Sequence, residues 1–337
     1  MRKAVIAAAV IVFTLTAAVY LRLAAFDMPR EAQQVPLTLK QGDHQLSGTL
    51  LLPKGVTSPP VVLLVHGDAA HDRWSDGGYL PLVNTLIEHG IAVVSWDKPG
   101  VGASTGNWLA QTMDDRAQEA ASVMRYLRQQ PKLAHSRMGF FGFSQAGWVV
   151  PRASQRSAAD FIVLVGPAIN WREQGSYFLR QRLLREQRPA AEIARAVARD
   201  AAEFATEFTV YSVARPCQAT CDRADFERRN ALSDVRADIA VVNTPVMILM
   251  GEQDRNVDPH QTLSEWQQRL PPTTPHCLRL VKGATHGLLR SRWYDYQLLS
   301  EWPLWKQGLF LLSGSEAYTP GTIERVVGWI NDGRCLP

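Results

Sequence analysis

The stretch RMGFFGFSQAGWVVP, residues 137–151, decides how the chain folds. Its Met138-Gly139-Phe140-Phe141 is a short apolar run of the kind a fully buried strand presents, and Gly142-Phe143-Ser144-Gln145-Ala146-Gly147 follows without a spacer. A strand, a serine among small residues and a helix start therefore coincide. Such a turn holds the serine on strained backbone with its hydroxyl exposed, and the small neighbours let the following helix pack close to the strands. Alone, the pattern occurs by chance in roughly one chain in four of this length, so an ordinary strand-to-helix turn is the plain alternative. What separates the two is whether a loop of backbone donors precedes the serine and whether an acid and a histidine follow it, each just past a strand end.

Strand and helix signals alternate on both sides of this stretch. Residues 35–40 and 45–52 suit an antiparallel hairpin turning at Gly42-Asp43. Residues 61–65 form a continuous Val/Leu run suited to a central parallel strand, ending at His66-Gly67-Asp68. A helix is expected from about Tyr79 to Glu88, a strand over 91–96 followed by Asp97-Lys98-Pro99-Gly100-Val101-Gly102-Ala103-Ser104, and a helix from about Met113 to Gln130 that Pro131 stops. Residues 161–165, 245–250 and 277–281 read as further strands, the last leading into Gly283-Ala284-Thr285-His286. Thr319 is expected to cap, and Pro320 to open, the last helix. The alternation implies an α/β protein with a doubly wound, mostly parallel sheet. The gap between the strands at 161–165 and 245–250 is far longer than a crossover needs, so residues 167–244 are expected to be a helical insertion acting as a cap.

With 337 residues the chain can bury a large core as one catalytic domain plus an insertion. The net charge of +4 is small and carries no dense Lys/Arg run or nucleic-acid motif, so nucleic acid is not expected as a partner. Arg2 and Lys3 precede a nearly unbroken apolar run over residues 4–21, which as a helix would reach about 27 Å and nearly span a bilayer. A cleaved signal peptide and an uncleaved anchor fit it equally; either places the protein outside the cytoplasm, periplasmic or secreted, with membrane association through residues 4–21 if the run is kept. Residues 1–34 are thus expected to be targeting segment and linker, and 35–166 with 245–337 the core. Cys217, Cys221, Cys277 and Cys335 fit an exported chain as two disulfides; three connectivities exist, and a local Cys217–Cys221 bridge with Cys277–Cys335 is the simplest. No histidine stands near Cys217 and Cys221 at zinc-site spacing, and no metal is expected. The aromatic stretch after His286, with Trp293, Tyr294, Tyr296, Trp302, Trp305 and Phe310, suits core packing first and a pocket wall or membrane-facing surface second.

From about residue 35 onward the chain resembles the α/β-hydrolase superfamily, nearest to its esterase and serine-aminopeptidase-like branch, also grouped with dienelactone hydrolases. The resemblance rests on His66-Gly67-Asp68, the Asp97–Ser104 segment, the Ser144 turn, Gly251-Glu252-Gln253-Asp254 and Gly283-Ala284-Thr285-His286. Two positions depart from the pattern: Ala146 replaces the usual glycine, and Asp68 puts an acid where related esterases often have a small or apolar residue. The resemblance implies a serine hydrolase without cofactor, cleaving a small ester or acyl substrate (carboxylic ester, thioester or amide) through an acyl-enzyme. Ser144 would attack, His286 take its proton and Asp254 fix the imidazole, while the backbone N–H groups of Gln145 and Asp68 would receive the oxyanion. His44, His66, His71, His89, His135, His260 and His276 lie outside the expected position for the base. Asp97 and Asp114 precede the serine and break the chain order, and Asp258, just before Pro259, suits a helix N-cap. A serine aminopeptidase-like peptidase and a noncatalytic binding protein on the same fold are the alternatives.

Overall fold

The computed structural model describes residues 13, 14, 17 and 19–336. Eight strands form one sheet: β1 (Ala32–Gln41), β2 (His44–Pro53), β3 (Val61–Val65), β4 (Ala92–Trp96), β5 (Met138–Phe143), β6 (Phe161–Val165), β7 (Val246–Gly251) and β8 (His276–Val281). Their spatial order is β1-β2-β4-β3-β5-β6-β7-β8. β1 pairs antiparallel with β2, and β2 with β4; every other pairing is parallel. The expected hairpin and parallel core are both present, with β1 starting at Ala32, inside the expected linker.

The long helices, in chain order, are α1 (Leu80–Glu88), α2 (Met113–Arg128), α3 (Val150–Arg156), α4 (Trp171–Arg185), α5 (Ala190–Glu207), α6 (Arg223–Asn230), α7 (Pro259–Arg269), α8 (Leu304–Ser313) and α9 (Thr322–Asp332). The central strands are apolar on both faces because both are covered. Val61, Leu63, Phe140, Ile162, Leu164 and Ile248 meet α2, α3 and α7; Val62, Leu64, Phe141, Val163 and Leu249 meet α1 and α9. Since β3 to β8 run parallel, the loops leaving them open on one edge of the sheet. The family-bearing motifs are those loops.

Two local expectations fail. The helix after Ser144 does not start as an α-helix: residues Ser144–Trp148 make a 3-10 turn, and α3 begins only at Val150, with Pro151 in its first turn. The tight turn suits the crowding there, since a Cβ on Gly147 would lie 2.6 Å from the Ala168 carbonyl oxygen. The last helix begins at Thr322 behind Gly321 at φ +76°, not at Pro320 behind Thr319. Thr319 N–H is already committed to the Leu288 carbonyl, and Leu289 pairs with Tyr318, so this segment is tied to the loop after His286 and cannot start a helix.

Residues 167–244 hold α4, α5, α6 and two short helices, Val210–Val213 and Arg236–Ile239. Arg172, Arg180 and Arg182 are exposed on α4, as a solvated face would be. The aromatic stretch divides: Tyr294 is buried and stacks on Trp302 at 4.9 Å, whereas Trp293 and Trp305 are exposed. Most of the apolar run 4–21 lies outside the described residues; among the described residues no helix is long and apolar enough to cross a membrane.

Both disulfides are the simplest pairing, Cys217–Cys221 and Cys277–Cys335. The second ties β8 to the chain after α9 across a separation of 58 residues. Opening it by Cys335→Ser is expected to lower stability by about 4 kcal/mol on the chain-entropy account. Urea unfolding of wild type and variant measures this, and an unchanged midpoint would show that the C-terminus is held by packing alone.

Candidate active site

Ser144 stands at the end of β5 with φ +52°, a conformation a side chain seldom adopts, and its hydroxyl makes no hydrogen bond within the described residues. Close packing fixes this turn. A Cβ on Gly142 would come 2.7 Å from the Ala146 methyl, so Gly142 makes the room that alanine takes at the position usually held by glycine. A Cβ on Gly67, in the loop after β3, would lie 3.5 Å from the Ser144 Cβ, so that loop runs close beside the serine turn.

Asp254 and His286 reach the same place from β7 and β8. His286 Nδ1–H donates to Asp254 Oδ2 at 2.7 Å. The other carboxylate oxygen accepts from the backbone N–H of Asn256 at 2.8 Å and Val257 at 2.9 Å, so the buried carboxylate is fully engaged and rigid. Burial pulls the His286 pKa down, but the charge and hydrogen bond of Asp254 outweigh it and leave the pKa raised. Ser144 and His286 each lie against the segment after β6. Ala168 N–H donates to the Ser144 carbonyl at 3.2 Å, and a Cβ on Gly166 (φ +57°) would strike the imidazole at 2.7 Å. Asp258 is placed otherwise: its Oδ1 accepts from the N–H groups of His260 and Gln261 and caps α7.

The loop after β3 is gripped from beneath by two buried cations. Lys98 Nζ donates to the carbonyls of Gly67 (2.7 Å) and Ala69 (2.6 Å), and Arg116 donates to the His66 carbonyl (2.6 Å) and to Gln145 Oε1. Ala69 is thereby held at φ +84°. Burial, reinforced by the charge of Arg116, pushes the Lys98 pKa well down. The backbone N–H groups of Asp68 and Gln145 donate to no group of the described residues. The Asp68 carboxylate accepts two hydrogen bonds from Arg223 of α6, both 2.8 Å, and one from Gln145 Nε2 at 3.2 Å. Burial opposes ionisation of Asp68, but Arg223 prevails and holds its pKa at about 2.

Asp97, Asp114, His66 and His71 have structural partners. Asp97 binds the Arg73 side chain and the N–H groups of Arg73 and Ala103. Asp114 pairs with Arg156. Burial and nearby Lys98 push His66 well below its usual range and His71 to about 4. His66 Nε2–H donates to the Trp96 carbonyl, and its ring begins the stack His66–Tyr79–Phe143 behind the serine turn. Cys217, Cys221 and Asp225 lie close enough together for a metal ion, but the disulfide occupies both sulfurs.

A family model described as serine aminopeptidase, S33, matches residues 58–292. The chain belongs to this family of α/β hydrolases. No curated protein matches it. An esterase of Pyrococcus furiosus superposes with a TM-score of 0.55 at 18% identity, covering 84% of this chain and 90% of its own. Est1E of Butyrivibrio proteoclasticus, solved with ferulic acid bound, gives 0.52 at 18% identity, with 82% and 98% covered. DcsB, solved with a substrate analogue, gives 0.53 at 14%, with 75% and 91% covered. These likenesses show the fold, and the family makes this chain an α/β-class hydrolase.

Four residues at the site carry no sequence signal of the kind used above. Lys98 sits in a motif valued for its glycines, and Arg116 stands among the apolar positions of α2, where a charged residue at core spacing was the available clue. Arg223 and Tyr177, whose hydroxyl donates to the Asp254 carbonyl at 2.8 Å, come from the insertion and are met only through the fold. Replacing Asp258 by alanine is expected to lower stability by about 1 kcal/mol through loss of the N-cap. Chemical denaturation tests it, and a loss much beyond that would mean that Asp258 holds more than the end of α7.

Proposed function

We propose that the chain cleaves carboxylic esters through an acyl-enzyme, with Ser144 as nucleophile, His286 as base and Asp254 as the carboxylate that orients it. The observation carrying this is the 2.7 Å His286–Asp254 hydrogen bond, set beside a serine on strained backbone. Asp254 binds Nδ1, so the neutral imidazole presents Nε2 to the serine and takes its proton as Ser144 Oγ attacks the carbonyl carbon. The oxyanion forms against the N–H groups of Gln145 and Asp68, the alcohol leaves with the proton from His286, and water repeats the sequence on the acyl-enzyme. The insertion covers the site as a cap through Arg223 and Tyr177. An exported location, periplasmic or secreted, is supported by the apolar run 4–21 and the two disulfides.

The family description makes an aminopeptidase the second reading. An aminopeptidase needs a free carboxylate for the substrate's ammonium group, and Asp68 is already engaged by Arg223. That favours the ester. Rates on chromogenic esters of graded acyl length against aminoacyl amides discriminate the two, and faster turnover of the amides would reverse the choice.

Ser144→Ala is expected to lose labelling by a fluorophosphonate probe and at least about 10⁴-fold in kcat, with the fold retained. Asp254→Asn is expected to lose about 10² to 10⁴-fold. Labelling of Ser144→Ala at the wild-type rate would refute the assignment. The acid limb of kcat/KM reports the base in the free enzyme. Because Asp254 raises the His286 pKa above 6.5, activity is expected to fall as pH drops through a value above 6.5. In the residual activity of Asp254→Asn this limb is expected at lower pH; an unmoved limb would assign it to another group.

A further inference from the structure

Helix α8 is amphipathic the wrong way round. Leu304, Trp305, Gly308, Leu311 and Leu312 fall within an arc of roughly 120° at 3.6 residues per turn. That arc faces outward: Leu304 is 83% exposed and Trp305 60%. The inward arc holds Phe310, packed on Tyr294, Trp302 and Phe26, and the only charge of the helix, Lys306. Lys306 is buried, with its ammonium over the rings of Trp293 (5.0 Å) and Trp305 (4.3 Å). Exposed Leu298 and Leu299 stand just before α8 in the chain. A helix on an ordinary wetted surface has the opposite pattern.

The chain itself indicates what covers this face. The apolar run 4–21, long enough by sequence to cross or enter a bilayer, joins the fold beside α8. Phe26 packs edge-on against Phe310 at 5.4 Å, Ala25 lies against Gly314, and Arg22 pairs with Glu316 at 2.6 Å. Val19, Tyr20 and Leu21, the last residues of that run, are exposed. Tryptophan and leucine outward, with cations held at the rings, is the composition that favours the bilayer interface.

We propose that the outward face of α8 docks on a lipid bilayer, with Leu304, Trp305, Leu311 and Leu312 seated at headgroup level beside the junction with residues 4–21. This surface is separate from whatever residues 4–21 do by themselves. Through the Arg185–Glu301 and Arg255–Asp295 pairs, the segment before α8 is fastened to α4 and to the Asp254 loop, so docking sets the orientation of the site relative to the lipid.

The test uses the full chain with phosphatidylcholine–phosphatidylglycerol vesicles whose acyl chains are brominated close to the headgroup, a short-range quencher of tryptophan emission. Wild type is expected to be quenched relative to unbrominated vesicles, Trp305→Phe to lose a large part of the quenching, and the exposed-face double variant Leu304→Glu with Leu311→Glu to lose the same part while keeping its near-UV circular dichroism. Equal quenching in wild type and Trp305→Phe, or no quenching of wild type, would overturn the proposal. So would a lipid-free dimer that the double variant splits, since the face would then belong to a second copy of the chain.

Discussion

The site depends on two buried cations pulling a loop downward. Lys98 and Arg116 between them take the carbonyls of His66, Gly67 and Ala69, and they do so without a carboxylate in salt-bridge contact among the described residues. A buried ammonium is costly unless its donors are satisfied, and here the acceptors are main-chain oxygens of the loop that precedes the serine. The grip works in both directions: the loop solvates the cations, and the cations hold Ala69 at a positive φ that the chain would otherwise leave. Arg116 extends the same grip to the Gln145 side chain, so the loop after β3 and the turn after β5 are positioned by one guanidinium. The N–H groups of Asp68 and Gln145 have no partner among the described residues, which is the state the proposed oxyanion site would need.

The insertion is coupled to this arrangement at two points. Arg223 neutralises Asp68 of the donor loop, and Tyr177 holds the Asp254 carbonyl. Arg223 and Asp68 are each more than a third exposed, so their pair contributes little to stability, of order a few tenths of a kcal/mol. Its effect is electrostatic: it removes a negative charge from beside the point where negative charge would develop. The depressed Asp68 pKa puts this contribution in full above about pH 4, and it fades as pH falls toward 2. The link is therefore intact at every pH at which a histidine could act as base.

The sheet, the order of its parallel strands and the loops carrying Ser144, Asp254 and His286 were legible because each rests on a local signal: an apolar run, then glycine and a polar residue. The N-cap role of Asp258 was legible for the same reason, since Asp-Pro is an N-cap signature and the structure uses it as one, while Asp254 is the carboxylate hydrogen-bonded to His286. Thr319 shows where this kind of inference stops. Thr-Pro is a sound helix start locally, but a hydrogen bond to Leu288, thirty-one residues earlier in the chain, took the segment instead. Arg223 meeting Asp68 across 155 residues is the same case, because nothing in either neighbourhood encodes the other. The inverted face of α8 was half legible. The sequence marks the aromatics, and only the packing of Phe310 on Phe26 decides which of them are left outside.

The His286–Asp254 pair sets stability against use. Folding raises the histidine pKa above 6.5, so the pair stabilises the native state in full below 6.5 and loses that contribution as pH rises through the raised value. A general base works only when neutral, above that same value. Where His286 can accept a proton from Ser144, the charge attraction of the ground state is therefore gone and only a neutral hydrogen bond orients the ring. In the proposed mechanism the attraction returns when the imidazolium forms, that is, in the transition state. A buried carboxylate fixed by the N–H groups of Asn256 and Val257 needs no rearrangement to meet it, and so under the proposed mechanism the interaction withheld from the resting protein would be spent on the step of proton transfer.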